Sequence, residues 1–131
     1  MLKELIEIFS ECEQMKKITP CSSALEFETV ALMPQRGELI KKYTDGKALL
    51  SANVRLLYKL PFSPAGDKGF MADTFYETVS LWLQERFKKD SVFCGRYEFT
   101  GIDIPLNYVL QKKTPSTAIY SLEITINYLR S

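Results

Sequence analysis

Apolar residues recur at helical spacing in some stretches of this chain and at every second position in others. Over residues 1–17, Leu2, Leu5, Ile6, Phe9 and Cys12 follow the i, i+3, i+4, i+7 rule of an amphipathic helix. Glu4, Glu7, Glu11 and Glu13 lie mostly off that stripe. Pro20 closes the segment, because a proline disfavours helical geometry at the residue before it, here Thr19. Residues 24–32 change period: Leu25 and Phe27 alternate with Glu26 and Glu28, which predicts a strand. MPQRG then separates it from ELIKKY, and TDGK separates ELIKKY from ALLSANVRLLYKL. Asp45-Gly46 between two β-like runs predicts a hairpin with a type I′ turn, which places both central residues at positive φ. In the second arm Leu50, Ala52, Val54, Leu56, Tyr58 and Leu60 share a face. Ser51, Asn53, Arg55 and Lys59 take the other, with Leu57 as the exception. Such alternation implies one buried face and one that is wet or covered by a partner.

Helical spacing returns over residues 68–89, where Met71, Phe75, Val79, Trp82 and Leu83 make one stripe. Phe70, Leu81 and Phe87 widen it, which predicts a helix packed along much of its surface, and Lys88 and Lys89 complement the macrodipole at its end. The remainder is β-like. Phe93, Tyr97 and Phe99 alternate with Cys94, Arg96 and Glu98; Ile104, Leu106, Tyr108 and Leu110 are in phase; KKTPST reads as a loop. In the final segment Tyr120, Leu122, Ile124, Ile126 and Tyr128 lie opposite Ser121, Glu123, Thr125 and Asn127. The order α-β-β-β-α-β-β-β, with no repeat and no linker, predicts one α+β domain over residues 1–131. Its natural form is a mostly antiparallel sheet with two helices packed on one face.

Composition narrows the chemistry. The chain is 46% hydrophobic and 25% charged, as globular domains are. With 17 basic against 16 acidic residues the net charge is +1, so no global field draws it to nucleic acid or to an anionic membrane. No apolar run approaches the ~20 residues that span a bilayer, and the acids in the first segment do not fit a signal peptide. The 3 cysteines show no CxxC spacing and read as free thiols. Histidine is absent, which removes the Ser-His-Asp and Cys-His systems and the commonest zinc ligand. Cys94 therefore has no imidazole to activate it. No cofactor is expected.

The segment 61-PFSPAGDKGF-70 has the Gly and Lys content of a phosphate loop but not its spacing. Its glycines are too close, Lys68 precedes Gly69, and no Ser or Thr follows. It reads as a corner: Pro61 and Pro64 end a strand, and Asp67 caps the next helix. Glu26, Glu28 and Glu123 could share a sheet face and serve acid–base chemistry, but Arg55 and Lys59 hold the corresponding phase of a neighbouring strand, which favours cross-strand charge pairing. Lys41, Lys42 and Tyr43 beside the turn make a basic spot with an aromatic, better suited to guarding a strand edge or meeting a protein than to binding nucleic acid.

The stretch 34-PQRGELIKKYTDGKALLSANVRLLYKLPF-62, the helix carrying WLQERF and the closing 118-AIYSLEITINYLRS-131 resemble the small minor capsid or tail terminator-like proteins of tailed phages and prophages of Gram-positive bacteria. The similar features are a G-x-x-I-x-x-Y-x-D-G hairpin, the YKLPF strand exit and the tyrosine-bearing last strand. The resemblance implies a virion structural protein rather than an enzyme. It implies a self-assembled ring, commonly hexameric, that meets tail-tube and head-connector proteins, forms in the host cytoplasm and resides in the tail or neck. Glu38 to Lys47 would be a projecting hairpin with Tyr43, Asp45 and Gly46 as its matching residues, and Glu26, Glu28, Arg55 and Glu123 would serve subunit contacts. The other reading is a small carboxylate-using enzyme or ligand-binding α+β domain.

Overall fold

The two longest alternating runs become the two central strands. In the computed structural model, which describes residues 1–22, 28–61, 69–88 and 92–131, β3 (Ala48–Pro61) and β7 (Thr117–Arg130) pair antiparallel along their whole length. Around them stand α1 (Leu2–Phe9), a 3-10 turn (Glu13–Met15), β1 (Thr19–Pro20), β2 (Val30–Lys42), α2 (Gly69–Lys88), β4 (Val92–Cys94), β5 (Tyr97–Asp103) and β6 (Val109–Lys113). The sheet order is β1-β2-β3-β7-β5-β4, with β6 also on β7. The α+β class holds. The sheet is mixed and mostly antiparallel: every pairing among the described strands is antiparallel except that β1 runs parallel to β2, through Thr19↔Ala31 and Pro20↔Leu32.

Antiparallel partners share a face, so the register of β3 and β7 carries its apolar phase across the sheet. Val54↔Ile124 and Leu56↔Leu122 are opposite each other, and all four are buried. Val30 and Leu32 of β2, Leu5, Ile8 and Phe9 of α1, and Phe75, Tyr76, Val79, Leu83 and Phe87 of α2 join them in one core. Leu57, out of phase in the sequence, is buried on the opposite face with Cys21, Ala31 and Ile119. That face is wet only in part.

Several boundaries moved. The first helix stops at Phe9 instead of reaching residue 17. Ser10 Oγ donates to the Glu7 carbonyl at 2.7 Å, the local competition that makes serine a poor helix interior. Cys12 and Met15 stay buried through the 3-10 turn, and Ile8 rather than Leu2 or Ile6 fills the core. MPQRG is no break: β2 runs through it, with bulges between Pro34 and Arg36 and between Leu39 and Lys41. The expected strand over 93–99 is a β4–β5 hairpin turning at Gly95, whose φ of 60° suits a glycine. KKTPST is loop only after Lys113. On α2 the buried stripe is Ala72, Phe75, Tyr76, Val79, Leu83 and Phe87, while Phe70, Met71 and Leu81 face outward. The corner over 62–68, with its Asp67 cap, lies outside the described residues, as do Lys89 and the strand expected before Glu28.

Candidate functional site

Beyond Leu32 no other strand among the described residues pairs with the outer edge of β2. From Gln35 to Lys42 every residue of it is exposed. Two adjacent apolar residues, Leu39 and Ile40, cannot both follow a strict period of two. The bulge resolves this by pairing Leu39 with Leu50 and Lys41 with Leu49, which leaves Ile40 without a cross-strand partner. The core ends before it reaches them, so Leu39 and Ile40 are 56% and 54% exposed. At the turn, Gly46 N–H donates to the Tyr43 carbonyl at 3.2 Å and Tyr43 N–H to the Lys47 carbonyl at 2.8 Å. Lys47 N–H also donates to Asp45 Oδ1 at 3.1 Å. Gly46 alone takes a positive φ, 91°, and Asp45 does not. The turn is therefore of the three-residue kind, in which a glycine bulge follows a type I turn, and not type I′. Lys41 Nζ sits 5.1 Å above the Tyr43 ring centroid, so the cation and the aromatic form one surface. Lys41, Lys42, Tyr43, Asp45 and Gly46 thus come together at one projecting tip.

The other expected surface is dispersed. Arg55 and Glu123 are directly opposite in register on the outer sheet face, yet no ion pair closes between them. Their neighbours Thr125 and Asn53 are joined instead, Thr125 Oγ1 donating to Asn53 Oδ1 at 2.9 Å. Glu28 is exposed ahead of β2 and lines a separate groove of about 610 Å³ with Glu13, Lys16 and Lys17. Glu26 lies outside the described residues.

A feature that the strand pattern did not flag lies at the far end of the sheet. β5 pairs with Thr125–Arg130 of β7, and β6 with Ala118–Ser121 of the same edge. The chain between them, residues 104–108, leaves the sheet and stands off against α2. A groove of about 760 Å³ opens there, lined by Asp73, Glu77, Leu81, Leu106 and Tyr108 among others. Leu106 is fully exposed and Leu81 is 61% exposed. Tyr108 holds the strap in place. Its ring stacks on Tyr76 at 4.8 Å and its hydroxyl donates to Asp73 Oδ1. Tyr76 is buried and its hydroxyl donates to the Leu56 carbonyl at 3.0 Å, which ties α2 to β3. Burial, followed by the Asp73 contact, pushes the Tyr108 hydroxyl up to about 12. The legible signal was on the helix: Asp73, Glu77 and Leu81 recur at i, i+4, i+8 and so share a face.

Cys94 Sγ donates to Glu7 Oε2 at 3.2 Å, and burial together with that carboxylate raises the thiol pKa. This is opposite to the environment that activates a nucleophilic cysteine. Among the described residues no cluster of Cys, Asp and Glu is placed to hold a metal ion, and no helix is long and apolar enough to cross a membrane. No family model matches the sequence, and no curated protein matches it.

Proposed function

We propose that this chain is a structural protein of a tailed phage or prophage virion, a ring-forming tail terminator or head–tail joining component. The observation that carries the reading is the β2–β3 hairpin, whose outer strand is exposed from Gln35 to Lys42 and presents Leu39 and Ile40 to solvent. Exposed apolar side chains on an unpaired strand edge mark a surface made to be covered. The hairpin is also where the sequence resembles tail terminator-like proteins. On this reading the chain is not an enzyme and uses no cofactor. Its partners are its own copies, in a ring that the resemblance implies is hexameric, and tail-tube and head-connector proteins. It assembles in the bacterial cytoplasm and resides in the tail or neck.

The test is absolute mass by light scattering over about a hundredfold concentration range, repeated with the matching tail-tube protein. A discrete ring mass, alone or with the tube protein, is the expected result. A monomer in both conditions would overturn the reading. One observation favours a carboxylate-using ligand site instead: Glu13 and Glu28 share a groove with Lys16 and Lys17. That alternative requires a ligand-induced thermal shift that Glu28→Gln removes.

A further inference from the structure

The hairpin tip and the α2 groove are complementary in chemistry and cannot meet within one chain. Between Arg36 and Lys47 the hairpin carries Arg36, Lys41, Lys42 and Lys47 against Glu38 and Asp45, so it is basic as well as apolar. The groove is lined by Asp73 and Glu77, with no Lys or Arg, and its rim offers Leu81 and Leu106. The Glu28 groove lacks this bias, because it pairs two carboxylates with Lys16 and Lys17. A volume of about 760 Å³ is in the size class that takes in a drug-sized group, so several side chains fit together.

The positions of the two features fix the kind of contact. The hairpin turn begins beside the end of β7, where Ala48 is opposite Arg130. The groove reaches β7 at Leu122. Eight residues of strand separate these positions, roughly 26 Å, and the hairpin and the strap lie on opposite sides of β7. One copy therefore offers a basic apolar projection at one corner and an acidic apolar groove at another. Two different patches that fit each other generate a head-to-tail interface, which closes into a ring when the rotation allows.

We propose that the β2–β3 hairpin of one copy docks in the α2 groove of the next, Leu39 and Ile40 against Leu81 and Leu106, and Lys41 and Lys42 facing Asp73 and Glu77. The proposal rests on the ring reading and names the contact that builds the ring. The apolar pairs supply burial, and the charges select the groove and set the approach.

The test uses Ile40→Asp, which spoils the hairpin, and Leu106→Asp, which spoils the groove. Both side chains are exposed, so the fold survives, and circular dichroism and melting of each variant check this. Each variant alone should lose self-association by more than about tenfold. Mixed in equal amounts, they retain one intact hairpin and one intact groove between them, and should form a dimer and nothing larger. A wild-type ring with both variants still forming it would overturn this contact and leave the ring reading standing. A wild type that stays monomeric, alone and with tube protein, would overturn both. Assembly that needs tube protein and loses only the Ile40→Asp variant would assign the hairpin to the tube and overturn the self-contact.

Discussion

Tyr108 shows how one side chain can hold a segment that has no ladder of its own. The strap over 104–108 lacks strand pairing, and its anchor is a ring stacked on Tyr76 with a hydroxyl donated to Asp73. The sequence placed Ile104, Leu106, Tyr108 and Leu110 in one strand phase, but Leu106 is fully exposed. Periodicity could not show this, because a strap that leaves the sheet keeps whatever spacing its residues have. The tyrosine carries a measurable consequence. Its pKa rises from 10.0 to about 12, so the folded chain keeps the proton over a range in which the unfolded chain releases it. The associated stability is present below pH 10, falls as pH rises, and is lost above about 12. Tyr58, Tyr76 and Tyr128 are raised in the same direction by burial, so they add to the slope. Tyr108→Phe should therefore flatten, without abolishing, the decline of unfolding free energy across that alkaline window, as read by urea titrations at stepped pH. An unchanged slope would remove Tyr108 from the account.

The hairpin, as an element, was legible in outline and misread in detail. Asp45-Gly46 located the turn, and the alternation of β3 gave its buried face. The bulges at Gln35 and Ile40 are not legible in the sequence, because an extra residue looks like a break in period, as it does at MPQRG. Each bulge shifts the phase by one, which returns Leu39 to the face it shares with Leu50. The turn type matters for mutation. Since Gly46 sits at φ 91° with open space around its Cβ position, Gly46→Ala should cost about 1 kcal/mol through backbone strain alone. Gly37 has the same open space and no positive φ, so Gly37→Ala should stay within about 0.5 kcal/mol. Denaturant midpoints of the two variants separate strain from crowding, because crowding predicts no difference between them.

Across the whole molecule, protection and interaction divide along the sheet. β3 and β7 are paired on both sides over most of their length and carry the core on one face, which was readable from their clean alternation. β2 begins inside that core at Val30 and leaves it at Met33, and nothing in the local pattern marks the exit, because it depends on where the helices stop covering the sheet. Amide exchange should follow this division. In the monomer the β3 and β7 amides should be the slowest, opening only with global unfolding, and those on the outer edge of Gln35–Lys42 among the fastest. Assembly should leave the slow set unchanged and slow the hairpin set, together with the 104–108 strap if the hairpin docks there. Protection of the hairpin without the strap would place its partner on another surface. Protection of neither would mean that the exposed edge is guarded by its lysines and bulges to stay alone, and the assembly reading would lose its main support.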